Sequence, residues 1–188
     1  MLFQSEIDLI KAMHEARALA ETDKTPRPST DYVLIFSGWL MYTSGYSILW
    51  VYDADRFADI AGACAVADLD QEPILYRSSF VLNEAYEDLT DPDRMALINA
   101  NLPVQVVDAE EVDPLTAYAE ASTMVDNEER WLDASWCYLL LMKFCSMEET
   151  VSVHTGPAPR YLDTWRGVWF KKGANQFLGM LPVVKKAK

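Results

Sequence analysis

The sequence predicts a mainly α fold: a single-domain multi-helix bundle around a buried helix at about 127–146, with a short irregular or β-containing C-terminal segment. Three observations carry this expectation. Apolar residues recur at three- and four-residue intervals through much of the chain. Helix-start signals stand at Asp53, Glu72-Pro73, Thr90-Asp91-Pro92-Asp93 and Asp113-Pro114. The stretch around 131–146 is apolar on most sides, which suits the centre of a domain.

Each element follows in order. Ser5 precedes Asp8 at capping-box spacing, and Ile7, Ile10 and Met13 follow at helical intervals, so helix 1 is predicted at about 5–21. Thr25 to Ser29, with two prolines, is a linker. Tyr32, Ile35, Phe36, Trp39, Leu40 and Thr43 repeat with a helix period, although Val33-Leu34-Ile35-Phe36 alone would pass for a strand and Gly38 weakens a helix. Ser44-Gly45 is a turn. Tyr46 to Tyr52 reads equally as a strand or a buried helical turn.

Asp53 caps a helix carrying Phe57, Ile60, Ala61 and Cys64 on one face, with acids in its first turns complementing the helix dipole. Helices then start near Glu72-Pro73 and Thr90, the second ending before Pro103. Val104 to Val107 is extended. Asp113-Pro114 opens a helix through Ser122. Asp126 or Asn127 caps the longest helix, through about Ser146. Its two faces carry Trp131, Ser135, Tyr138, Met142 and Cys145, and Leu132, Trp136, Leu139 and Leu140. Trp165 to Met180, with three glycines, has no clear assignment.

At 188 residues the chain is long enough to bury its core without disulfide or metal staples. Cys64, Cys137 and Cys145 are odd in number and unpaired in spacing, which argues for a reducing compartment. The start, Met1 to Glu6, lacks a basic segment before an apolar run, and no apolar stretch reaches the ~20 residues that span a bilayer. The cytoplasm is the expected location.

Charge is the unusual feature. The net is −13, from 16 Lys/Arg and 29 Asp/Glu. Residues 1–150 hold 9 Lys/Arg against 28 Asp/Glu, and residues 151–188 hold 7 against Asp163 alone. The expected organisation is an acidic helical domain at 1–150 and a basic segment at 151–188, packed on it or flexible. Between Asp53 and Asp133, 20 acids face four arginines. Such a body repels nucleic acid and anionic membrane.

Motifs for chemistry are sparse. There is no Gly-x-Gly-x-x-Gly, phosphate loop or Gly-x-Ser-x-Gly elbow. His14 and His154 are the only histidines. His14 reads as a surface or satisfied half-buried histidine on helix 1, and His154 lies in a predicted loop. Asp68-Leu69-Asp70 imitates the start of a calcium loop, but Pro73 stands where the loop needs glycine. Asp53, Asp55 and Asp59 could flank a pocket as acid and base, although capping and solvation explain them. Trp39, Tyr42 and Tyr46 read first as core and otherwise as the lining of a groove. No metal, cofactor or catalytic residue is expected.

The order of elements carries a family resemblance. An aromatic helix leads to Tyr42-Thr43-Ser44-Gly45-Tyr46 and Trp50. An acidic helix (Asp55 to Ala67), a Leu/Tyr helix (Ile74 to Leu82) and Asp91-Pro92-Asp93 follow. This order resembles the small acidic helical bacterial proteins that include a DNA-mimic protein, over about residues 31–145. The family turn carries Asn-Gly-Gly-Phe, where this chain has Thr43-Ser44-Gly45-Tyr46. Helix 1 and the basic end are unmatched. The resemblance implies an all-α fold and binding to a DNA-binding protein through carboxylates placed like phosphates.

The functional expectation is a non-enzymatic acidic protein that engages a basic protein partner, such as a nucleic-acid-binding factor or a toxin. Asp88, Asp91, Glu110 and Glu111 are the candidate partner-binding acids. Lys171, Lys172, Lys185 and Lys186 offer an alternative contact. A carboxylate-based, metal-dependent hydrolase is the alternative from another class.

Overall fold

The computed structural model describes residues 2–20, 28–36, 38–57, 62–71, 109–126, 130–132, 134–157, 166–180 and 183–184. The chain divides into two compact units, Met1–Ala96 and Leu97–Lys188.

The first unit opens with helix α1 (Gln4–Ala20). It starts one residue before Ser5. The side chain of Glu6, not Asp8, reaches back to accept the Phe3 amide at 2.8 Å, one arm of a capping box. Leu9, Ile10, Met13 and Ala16 are the buried stripe. After a 3-10 turn (Pro28–Asp31) come strands β1 (Tyr32–Phe36), β2 (Trp39–Thr43) and β3 (Ser47–Tyr52). A single helical turn, α2 (Ala54–Phe57), then leads to β4 (Gly62–Ala65). The strands pair antiparallel in the order β4-β1-β2-β3.

The helix expected over Tyr32–Thr43 is therefore a hairpin. Val33, Leu34 and Ile35 are buried in succession, so β1 is covered on both faces and its two-residue period is hidden. β2 shows the alternation openly, with Leu40 and Tyr42 buried and their neighbours half-buried. Gly38 makes the reversal between them at φ +84°, a conformation that side chains rarely adopt. In the next turn Gly45 has φ +91°, and Ser44 Oγ meets Ser47 Oγ at 2.8 Å. The helix expected from Asp53 stops after one turn, and Cys64, assigned to it, lies in β4. Ile60 and Ala61 fall outside the described residues.

The second unit holds α3 (Pro114–Val125), β5 (Arg130–Trp131), α4 (Ala134–Phe144), β6 (Ser152–Pro157), β7 (Arg166–Lys172), β8 (Gln176–Met180) and β9 (Val183–Val184). β6, β7 and β8 form an antiparallel meander, and β5 pairs with β9. Of the unassigned stretch, Arg166–Met180 is a hairpin, turned at Gly173 (φ +60°). Gly179 faces Trp169 across it, and a Cβ there would lie 2.8 Å from the indole. α3 starts where Asp113-Pro114 predicts, with Asp113 Oδ1 accepting from the Leu115 and Thr116 amides at 3.0 and 3.1 Å. The long helix expected at 127–146 is shorter, and its first residues give way to β5. It buries Cys137, Leu140, Leu141 and Phe144 and leaves Tyr138, Leu139 and Lys143 exposed, so it is a surface helix and not the centre of a bundle.

A mainly α helical bundle is therefore the wrong fold class. Nine strands in antiparallel ladders, four in the first unit and five in the second, form the framework among the described residues. The predicted elements at 72–107, and the side chain of Trp136, lie outside the described residues.

Candidate functional site

The sites expected from the sequence are scattered. Asp88 and Asp91 lie outside the described residues. Glu110 and Glu111 are exposed in the segment before α3, where Glu111 accepts the Thr150 hydroxyl at 2.9 Å. Asp53 is held by Arg56, through Nε at 2.7 Å and the amide at 3.1 Å, and these bonds keep its carboxyl below the usual range. Asp55 is exposed, and Asp59 lies outside the described residues. Asp70 pairs with Lys11. Among the described residues no three His, Cys, Asp or Glu are grouped to hold a metal ion.

Arg56 is the electrostatic hub of the first unit. Its guanidinium forks onto Glu6 at 2.7 and 3.0 Å and lies 3.8 Å from the centre of the Phe3 ring and 4.6 Å from that of Phe57. It fastens the first turn of α1 to α2. This is a structural clamp, because Nε, Nη1 and Nη2 each donate to a carboxylate of the same chain.

The histidines serve packing. His14 Nδ1 lies 2.9 Å from the Tyr42 hydroxyl, which donates to the Thr30 carbonyl at 3.0 Å. His154 is on β6, not in a loop, and its Nε2 lies 2.8 Å from Ser152 Oγ. Both side chains are buried. Burial, and then Lys171, push the His154 pKa below its ordinary value. The expected groove of Trp39, Tyr42 and Tyr46 does not form. Trp39 and Tyr42 are three apart on β2 and point to opposite faces. Trp39 instead stacks against Trp50 and Tyr52, at 5.3 and 4.9 Å between ring centres.

The surface that stands out was not anticipated. Seven large apolar side chains are exposed among the described residues, and five belong to the second unit: Leu115, Met124, Tyr138, Leu139 and Met147. Four of them lie on α3 and α4, and Met147 lies beyond Cys145 and Ser146 after the end of α4. Leu115 and Leu139 are 49% and 46% exposed. On α3 the buried stripe is Pro114, Ala117, Ala121 and Val125, so Leu115, Ala119 and Thr123 line the outer side at i, i+4 spacing. Tyr118 of α3 meets Tyr138 of α4 edge to face, with ring centres 6.0 Å apart. In 23 helical residues there are two charges, Glu120 and Lys143, where the chain-wide 24% would place five or six. Charge depletion with aromatic and Met enrichment marks the core of protein interfaces. The sequence reading placed Tyr138 and Leu139 on a buried central helix, because an exposed leucine on an amphipathic helix looks like a buried one. The run of helix nearly free of charge was the available signal.

The DNA-mimic reading does not survive this arrangement. It required acids displayed along helices between Asp53 and Asp133, with an all-α scaffold beneath them. In the described part of that interval β4 replaces the acidic helix, and α3 carries Glu120 alone. Among the described residues no helix is long and apolar enough to cross a membrane.

No family model matches the sequence, and no curated protein matches it. Solved structures similar to this chain include two. One is a putative DNA polymerase III beta subunit from Eubacterium rectale, at 10% identity and a TM-score of 0.44, covering 98% of this chain and 64% of that one. The other is the DNA polymerase sliding clamp from Bacillus subtilis, at 12% identity and a TM-score of 0.40, covering 96% of this chain and 63% of that one. The chain spans just under two thirds of the length of each.

Proposed function

We propose that this chain is a protein-binding module whose contact surface is the outer face of α3 and α4. The observation that carries the reading is the exposure of Leu115, Tyr138 and Leu139 on two adjoining helices that hold only Glu120 and Lys143 as charges. Exposed apolar side chains scattered singly need no explanation, whereas several grouped on one low-charge surface do. The antiparallel meander behind the helices supports the reading, since a face built on regular elements is held in shape before binding.

The test is site-specific photo-crosslinking in cells that make the chain, with the crosslinker at position 115 or 139 and a control at the exposed Ala174. The expected result is one discrete adduct from 115 and 139 and none from 174. Absence of any adduct from either helix position would overturn the reading.

A further inference from the structure

We infer that His154 is a proton-operated latch on strand β6: the neutral ring holds the strand to β7, and the charged ring releases it while β7 and β8 stay folded. This latch is separate from the outer face of α3 and α4. The geometry behind it is the buried pair of His154 and Ser152, two residues apart on one face of β6, with Nε2 2.8 Å from Oγ. The ladder sets Lys171 opposite Ser152 and Trp169 opposite His154. A proton taken up at His154 therefore puts a second cation beside Lys171 in a buried site. The serine does not relieve this. Its hydroxyl can turn to accept from a charged ring, so the bond survives but the charge stays buried.

The described neighbours do not neutralise that charge. The charged residues of β7 are all basic, Arg166, Lys171 and Lys172, and β8 has none. α3, packed on β6 and β7, carries Glu120 alone, and it is exposed. Val112 pairs with Val151, which brings Glu111 and Asp113 near the start of β6. Glu111 is exposed and accepts the Thr150 hydroxyl, and Asp113 is taken up in capping α3. Water is left to solvate the charge, and β6 is placed to reach it. Among the described residues it is the last strand of its ladder. Its start is pinned, since the amide and carbonyl of Val151 both bond to Val112 at 2.9 Å. Its far end is Gly156-Pro157, where proline has no amide hydrogen to give the ladder. Release from that end reaches His154 before the pinned start. Burial, and then Lys171, lower the pKa of His154 in the fold, whereas in the released strand it returns to the ordinary 6.5. Falling pH therefore favours release. At about pH 5.5 a freed histidine is roughly nine-tenths charged, so opening gains at most about tenfold.

The experiment is native-state hydrogen exchange of the purified full chain at about pH 7.5 and about pH 5.5. Mass spectrometry reads peptides of β6 and β8, corrected for the intrinsic pH dependence of exchange. The expected result is a loss of β6 protection of about five- to tenfold at the lower pH. His154→Gln, which stays neutral and can still meet Ser152, should abolish the loss. Lys171→Met should reduce it, because the fold then tolerates the charge better. Low urea separates local from global opening: β6 exchange should barely respond while β8 exchange quickens. Equal β6 protection at the two pH values overturns the inference, as does an undiminished loss in either variant. β6 exchange that follows β8 in urea also overturns it, because the unit then opens as a whole. If circular dichroism shows that His154→Gln does not fold, the Lys171→Met comparison decides.

Discussion

Lys172 Nζ, on β7, donates a 2.6 Å hydrogen bond to the carbonyl oxygen of Phe144, the last residue of α4. The final carbonyls of a helix lack partners within it and carry its negative dipole end. A lysine from the neighbouring sheet supplies both a donor and a positive charge. Glu149 lies 3.6 Å away, and the ammonium sits 5.2 Å from the centre of the Phe144 ring. This basic residue, which the sequence offered as a partner contact, is spent on joining helix to sheet.

Replacing Lys172 with Met keeps the aliphatic stem and removes the donor. The expected cost is about 1–2 kcal/mol, the worth of a charged hydrogen bond and a helix-end charge together. Urea unfolding measures it. A midpoint indistinguishable from the parent would mean that water replaces the lysine without loss.

Arg56→Ala should cost about 3 kcal/mol, because it leaves the carboxylate of Glu6 buried without its cation. The two side chains are 15% and 11% exposed, so solvent does little to compensate. Arg56→Lys keeps the charge but loses the fork onto Glu6 and the stacking on Phe3, and should recover less than half of the loss. Full recovery by lysine would show that charge alone matters at this position.

His154 makes stability depend on pH near neutrality. Its pKa is lowered in the fold from 6.5, mainly by burial. The unfolded chain therefore takes up a proton at a pH where the folded chain does not. The stabilising contribution is complete above about 6.5 and is lost as pH falls from there through the lower folded value. The carboxyls of Asp53 and Asp113 are lowered from 3.8, so their losses lie at more acid pH. Denaturant midpoints from pH 7.5 to 5 should fall for the parent and flatten for His154→Gln. Equal slopes in both proteins would assign the effect elsewhere.

Gly179→Ala should destabilise by about 1–3 kcal/mol, the cost of overpacking a rigid site. The added methyl would stand 2.8 Å from the Trp169 ring, which is buried and cannot swing away. Trp169→Phe in the same chain opens that space and also removes an indole N–H that is buried without a partner. The double variant should be more stable than the sum of the two singles predicts, by at least about 1 kcal/mol. Simple additivity would sink the steric account.

Cys145 should react slowly with thiol reagents in the native chain. Burial pushes its pKa up to about 11, outweighing the nearby Lys172, so the thiolate is scarce at neutral pH. Alkylation as fast as in urea would show that the last turn of α4 opens freely.

How far the sequence reached depended on whether a signal was local. Asp113-Pro114 placed the start of α3, and Ser44-Gly45 placed the β2–β3 turn, because caps and turns are made by neighbours in the chain. Helix α1 was legible for the same reason. Tyr32 to Thr43 was misread because its period depends on what covers each face. Val33, Leu34 and Ile35 are buried on both sides of a sheet, and partners remote in sequence provide that cover. Taken singly, Leu115 and Leu139 look like core leucines, and only the low charge of their helices sets them apart. The link between Glu6 and Arg56 spans 50 residues. By itself the sequence determined caps, turns and the amount of apolar surface. Tertiary structure decided which of that surface is buried, because burial is a property of what two distant segments do together.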